Sequence, residues 1–287
     1  MNVLARDTQI MVLKLLVEGV SIRSASRITG VARNTVSDLL KVVGAHCKNH
    51  HDRFVTNVSA PRVQADEVWS FTQKKQKNVK DGEIGVGDCW TWVGVDQDSR
   101  LIISYRVGDR SGEMAHAFMH DLHDRLNPKV RTQLSTDALS WYLGAVESTF
   151  KWNGCDFGQI LKTFGNSFDQ SGSPTARRYS PQEVSSVQKF AVMGSPKDAD
   201  ICTSHVERSH LTLRQQQKRM SRLTIAFSKK REFHLYATAL HTTWYNFVRP
   251  HTTLSKQNGR PTTPAMAAGL AAAPWSFDDI LHLLQGN

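Results

Sequence analysis

The chain has 287 residues, with 36 Lys and Arg against 26 Asp and Glu, a formal net charge of +10. A hydrophobic share of 40% excludes wholesale disorder, and no stretch approaches the ~18 uncharged apolar residues of a membrane span. Met1–Arg6 shows no secretory leader pattern, and the widely spaced Cys47, Cys89, Cys155 and Cys202 form no CxxC pair, which argues against a disulfide framework and leaves a basic, cytoplasmic, globular protein.

The charge is unevenly placed. Residues 1–50 carry seven basic and three acidic side chains, and residues 201–260 carry eleven basic ones against Glu207 and Glu232 alone. The stretch between them is close to neutral. Basic runs are commonly solvated helix faces; here they also fit two surfaces for nucleic-acid phosphates.

In chain order, residues 7–18 place Ile10, Leu13 and Val17 at helical spacing behind a cap at Asp7 or Thr8. Gly19 ends this helix. Ser21 opens a short second helix with Ile22, Ala25 and Ile28 as its apolar positions, and Gly30 ends it. A third helix over 32–47 turns Val36, Leu39, Leu40 and Val43 inward. Short helix, Gly-containing turn and a helix opening on Arg33, Asn34 and Thr35 form the helix-turn-helix pattern. In that reading Arg33 and Asn34 reach base edges, while Thr35 and Ser37 reach phosphates. The alternative is a plain three-helix bundle. His46, Cys47, His50 and His51 lack the cysteine pair of a zinc module and read as a polar linker.

Residues 62–71 read as a strand, with Val63, Ala65, Glu67 and Trp69 on one face and Gln64, Asp66, Val68 and Ser70 on the other. The Lys- and Gly-rich stretch 73–88 reads as a mobile loop. Strands over 89–97 and 101–108 meet at Asp98-Ser99-Arg100 as a hairpin. Residues 111–126 form an amphipathic helix whose His116, His120 and His123 read as a solvated face. A strand over 130–137 ends at Asp137, and a helix over 139–149 follows.

This order, β-β-β-α-β-α, predicts an α/β fold. It comprises a ribonuclease-H-like domain with a mixed five-stranded sheet and flanking helices, preceded by an all-α helix-turn-helix domain. The first and fourth strands then lie side by side and bring Asp66 next to Asp137. Two adjacent carboxylates repel unless one protonates or a divalent cation joins them, and oxygen ligands suit Mg²⁺. Taken singly, an Asp in a strand is more often a surface residue.

Residues 150–203, rich in Gly, Ser, Asn and Asp, read as an insertion that is partly loop. A short helix over 180–187 is boxed by Ser180 and Glu183, a strand covers 189–194, and Arg177 and Arg178 are loop charges or DNA contacts. Residues 204–220 form a polar helix in which Glu207 is the only acid among Arg208, Arg214, Lys218 and Arg219. Glu207, His210, Leu211 and Arg214 share one face. Glu207 either pairs with a neighbouring arginine or is a third carboxylate for the aspartate pair. A helix over about 228–248 carries a packing stripe of Phe233, Tyr236, Ala237, Leu240, Trp244 and Phe247. Lys229, Lys230, Arg231 and Arg249 are candidate phosphate contacts, and the tail beyond 250 reads as packing or loosely ordered.

Quoted as they stand, QADEVWSF, GDCWTWVGVD, STDALSWY, SHVERSHLTLRQ, FSKKREFHLYATALHTTWYNFVRPHTTL and TPAMAAG resemble the bacterial insertion-sequence-one-type DDE transposases. The match runs in order over most of residues 5–270. The resemblance implies a catalytic and metal-holding triad of Asp66, Asp137 and Glu207, with Arg214 as the basic residue after the Glu. It is similar to the longer members, because 70 positions separate Asp137 from Glu207. A zinc ribbon found in many members is missing.

The resemblance further implies two Mg²⁺ ions, replaceable by Mn²⁺, and cleavage and transfer of DNA strands by a two-metal mechanism. Its partners would be double-stranded DNA at the element ends and the target, on the bacterial nucleoid, and a homodimer or higher assembly. No membrane and no small-molecule substrate are implied. The implied organisation is a helix-turn-helix domain over 1–50, a linker over 51–61, a catalytic domain over 62–250 and a tail over 251–287. A helix-turn-helix transcription regulator accounts for residues 1–50 but gives no role to the three acids. A silent, domesticated transposase that only binds DNA keeps every motif.

Overall fold

Alternating apolar positions in residues 62–72 let one strand serve two cores. In the computed structural model, which describes residues 4–151, 154–164, 184–222 and 224–285, this strand is β1 (Arg62–Thr72). Val63 and Ala65 enter one buried cluster, and Val68 packs on the opposite face against Leu213 and Met220. Around it lie β2 (Gly87–Asp96), β3 (Ile102–Gly108), β4 (Gln133–Asp137), β5 (Asp156–Phe164) and β6 (Val184–Met193). The sheet order is β3-β2-β1-β4-β5-β6. β1 is antiparallel to β2 and parallel to β4, as expected.

The sheet has six strands where five were expected. The sixth comes from the segment read as an insertion: β6 runs antiparallel to β5 as a hairpin arm. Residues 184–187, expected at the end of a short helix, are strand. Val184, Val187, Phe190 and Val192 give this stretch β-branched and aromatic character, which outweighs a local capping signal. The first half of that expected helix, like Arg177 and Arg178, lies outside the described residues. The loop expected to be mobile is pinned: Lys74 Nζ donates to both Glu83 oxygens (2.7 and 2.9 Å), and Gln76 N donates to Asp88 Oδ1 (3.0 Å).

On one face of the sheet α4 (Gly112–Arg125) and α5 (Trp141–Phe150) cover Trp92, Leu134 and Phe157 with Phe118 and Tyr142. On the other face lie α6 (Ser204–Gln216) and α7 (Arg231–Thr243). The three N-terminal helices, α1 (Arg6–Val17), α2 (Ile22–Thr29) and α3 (Arg33–Phe54), join this second layer. Leu13, Leu40 and Val43 share one buried cluster with Val93, Tyr105 and Leu240. Each such side chain contributes about 1.5–3 kcal/mol of burial, so these helices are fastened to the sheet and not merely tethered.

Two devices fix α3. Gly44 lets it approach α7 closely, since an added Cβ would stand 2.6 Å from the Tyr236 carbonyl oxygen. Arg125 of α4 caps its end, donating to the His51 and Val55 carbonyls (both 3.1 Å) and to Asp52 (2.7 Å). Residues 46–54, read as polar linker, are therefore the last turns of α3. His51 is buried, and its Nε2 lies 3.0 Å from the Ile103 carbonyl. Val55, Val58 and Ala60 are buried as well, so the stretch 51–61 is anchored to the core at these positions, with exposed residues between them.

The C-terminal region is ordered by packing. A π-turn over Trp244–Val248 extends α7 and presents Asn246 to the edge strand β3. The Asn246 amide accepts from Ile102 N (3.0 Å) and donates to its carbonyl (2.9 Å), closing that edge. Then follow α8 (Thr252–Asn258), α9 (Pro264–Ala267) and α10 (Phe277–His282). Ile280 and Leu281 of α10 are buried in the cluster that holds α1. A Ser276–Asp279 capping box starts α10.

Candidate metal and nucleic-acid site

The parallel register of β1 and β4 decides where the acids meet. Ala65 faces Thr136, so the next pair along is Asp66 and Asp137. β4 ends at Asp137 while β1 continues to Thr72. Beyond that point no strand separates the two faces of β1, and side chains from both reach one edge. Asp66, Asp137 and also Glu67 each bring a carboxylate oxygen within 4.8 Å of the others.

Each acid is held differently. Asp66 Oδ1 accepts from the Glu67 backbone N–H (2.8 Å), and its Oδ2 lies 3.4 Å from His210 Nδ1. Asp137 Oδ1 accepts from Leu139 N (3.1 Å) and so shapes the turn into α5. Glu67 is buried, its Oε1 taking the Arg110 guanidinium at 2.6–2.7 Å and its Oε2 the Tyr142 hydroxyl at 2.9 Å. Burial and the neighbouring Asp137 and Asp66 charges push its carboxyl up to about 7, against the pull of Arg110 and Tyr142. Burial and Asp66 also raise Asp137. Three converging oxygen donors with net negative charge fit a hard divalent cation.

Glu207 stands in the first turn of α6 and outside this group of three. Its Oε1 accepts from Thr203 Oγ1 (2.7 Å) and pairs with Lys162 of β5. It is close enough for its charge to add to the rise of Asp137. The same helix turns His210 and Arg214 toward β1. His210 Nε2 and Arg214 Nε are buried with no hydrogen-bond partner among the described residues. Desolvation, followed by Arg222, lowers Arg214, while Asp66 pulls it back up.

The candidate DNA contacts divide into outward and inward groups. Arg33 and Asn34 are exposed at the start of α3, Thr35 and Ser37 are half-buried, and the Ser37 hydroxyl donates to the Arg33 carbonyl (3.0 Å). Arg208, Lys218, Lys229, Lys230 and Arg249 are exposed. Lys229 sits over Phe227 at 4.0 Å, and Arg249 over Trp244 at 5.3 Å. Arg231 is half-buried and donates to Asp109 (2.9 Å). Arg219 differs from expectation: its Nη1 donates inward to Ser228 Oγ (3.1 Å) and the Phe233 carbonyl (2.9 Å), and burial lowers it to about 10. Helix α6 stops at Gln216, and the following turn over Lys218–Met220 aims Arg219 at the interior.

Glu67, Arg110, Tyr142 and Lys162 are not legible as site residues from the sequence alone. Glu67 carried one usable signal, an acid on the otherwise apolar face of β1. The other three come from separate elements that meet only in the fold.

No protein-family model matches the chain, and no curated protein matches it. Among solved structures it is similar to the Mos1 strand transfer complex, with 16% identity, coverage of 53% of this chain and 57% of that one, and a TM-score of 0.23. It is also similar to the Mos1 mariner paired end complex with Mn, with 15% identity, coverage of 55% and 60%, and a TM-score of 0.25. A piggyBac transposase synaptic complex with hairpin DNA gives 7% identity, coverage of 99% and 74%, and a TM-score of 0.37. The chain thus spans less than two thirds of the length of the Mos1 chains. Among the described residues no helix is long and apolar enough to cross a membrane.

Proposed function

We propose that this chain is a DDE-type transposase that cleaves and joins DNA strands with a divalent metal. The observation that carries this reading is the meeting of Asp66 and Asp137, from parallel neighbouring strands in the middle of the sheet, with Glu67 at the C-terminal end of β4. Asp66 and Asp137 would hold the metal directly, with Glu207 as the third acid of the set. Bound there, Mg²⁺ or Mn²⁺, as a pair of ions, supplies Lewis-acid activation of an attacking hydroxyl and a leaving oxygen.

The chain's own residues do the rest. Arg110 and Tyr142 orient Glu67 behind the aspartates. His210 stands against Asp66, and Arg214, whose Nε–H has no partner among the described residues, would offer its guanidinium to a phosphate beside the acids. The exposed start of α3, with Arg33 and Asn34, would read DNA bases at the element's terminal repeats. Two ends need two active sites, so a homodimer is the minimal assembly.

The test is end cleavage. Duplex DNA carrying the inverted repeats that flank the gene is incubated with the full chain and Mg²⁺ or Mn²⁺. Nicks that require the metal, and that vanish in Asp66→Asn and Asp137→Asn while DNA binding persists, support the reading. Full cleavage by either variant overturns it. Tight binding of repeat DNA with no nicking by the native chain marks the binding-only alternative.

A further inference from the structure

Helix α6 shows two functional stripes. Glu207, His210 and Arg214 belong with the acids. His205, Arg208 and Thr212, also spaced i, i+3 and i+7, line a separate cleft of about 280 Å³. Arg100 on the β2–β3 turn and the segment Arg249–Pro250–His251 after the π-turn complete its walls, with Tyr245 and Val95 behind.

We propose that this cleft is a phosphate-binding site. Three guanidiniums, from Arg100, Arg208 and Arg249, converge on it, and none makes an ion pair among the described residues. Three like charges around one concavity repel, and a bound oxyanion turns that repulsion into attraction. Guanidinium is the side chain whose planar fork matches phosphate oxygens. His251 Nδ1, buried in this wall, has no hydrogen-bond partner among the described residues. His251 is held below the usual histidine range, by burial first and then by Arg100, Arg249 and Arg208.

Arg100 itself carries an unusual backbone. Its φ is +64°, where glycine or asparagine sits at little cost and other residues are strained. The shared chemistry is a phosphate group. It is either a phosphodiester of DNA, which rests on the function proposed above, or a free phosphate, which does not.

The test uses the full chain with two variants, Arg100→Asn, which keeps a residue suited to positive φ, and Arg208→Gln on an exposed helix face. Thermal melting is measured in inorganic phosphate against chloride of equal ionic strength. Binding of a labelled random-sequence duplex is measured across KCl concentration by fluorescence anisotropy. The native chain should melt higher in phosphate, and both variants should lose that gain. If DNA fills the cleft, each variant also lowers the slope of log affinity against log salt by about one. Loss of the phosphate effect with an unchanged slope assigns the site to free phosphate, and the reverse assigns it to the polymer. If neither readout moves in either variant, the site does not exist. If the native chain never nicks DNA yet keeps the phosphate effect, the transposase reading falls and this site stands.

Discussion

Tyr142 donates its hydroxyl to the buried carboxylate of Glu67 across 2.9 Å. A residue of α5, on the covered face of the sheet, thereby fixes an acid whose neighbour in sequence, Asp66, faces the opposite helix layer. This contact couples the packed core to the acidic edge.

Tyr142→Phe keeps the ring in the core and removes that donor. A buried carboxylate oxygen left without its partner costs about 1–3 kcal/mol. Urea unfolding with chelator present should show a loss of that size at pH 8, where Glu67 is charged, and a smaller one at pH 5.5, where it is protonated. Equal losses at both pH values would show that the bond does not serve the charged form.

Lys162 pairs with the Glu207 carboxylate, and under the proposed function it would compete there with a cation at the aspartate pair. Lys162→Gln releases it. Half-maximal cleavage should then need several-fold less Mg²⁺, with the rate at saturating metal little changed. An increased metal requirement would mean that Lys162 positions Glu207 productively.

Buried histidines set the response to acid. His51, His234 and His241 are each held down to about 3, chiefly by burial. In the fold they stay neutral until the pH nears that value, whereas the unfolded chain protonates them below about 6.5. Their contribution is therefore complete above pH 6.5 and is lost as pH falls toward 3. Glu67, raised to about 7, works in the opposite sense between about 4.5 and 7. Taken by themselves, these four groups, three protons gained against one, contribute a slope of roughly 3 kcal/mol per pH unit around pH 5. Chemical denaturation from pH 7.5 to 4.5 measures it, and a flat profile would contradict the buried neutral histidines.

Gly44→Ala tests how firmly α3 sits on α7. The new Cβ would stand 2.6 Å from backbone oxygen of Tyr236, so the helices must separate. A loss of about 1–3 kcal/mol is expected. Gly30→Ala meets open space and is strained only by its φ of +73°, so its loss should be nearer 1 kcal/mol. Thermal melts of the two variants give the ranking, and a reversed ranking would count against the tight contact.

Much of this was legible in the chain. Periodicity located α1–α3, the strands β1–β4 and the helices α4 and α5, because burial on one face imposes a repeat of 3.6 or 2 residues. It also gave the order in which β1 and β4 become neighbours, and hence the pairing of Asp66 with Asp137. The region after Phe150 was harder. A capping signal at Ser180 and Glu183 suggested helix, while pairing with β5 made the following residues strand, and local propensity cannot register a partner strand.

Which residues carry charge, and that acids and arginines recur at helical and strand spacings, follows from sequence alone. Where those charges point does not. Arg219 turns inward because α6 ends at Gln216, Glu207 of α6 is taken by Lys162 of β5, and Arg100, Arg208 and Arg249 meet across three separate elements. Spacing along a chain constrains neighbours within one helix or strand; contacts between elements depend on packing, which only the tertiary structure decides.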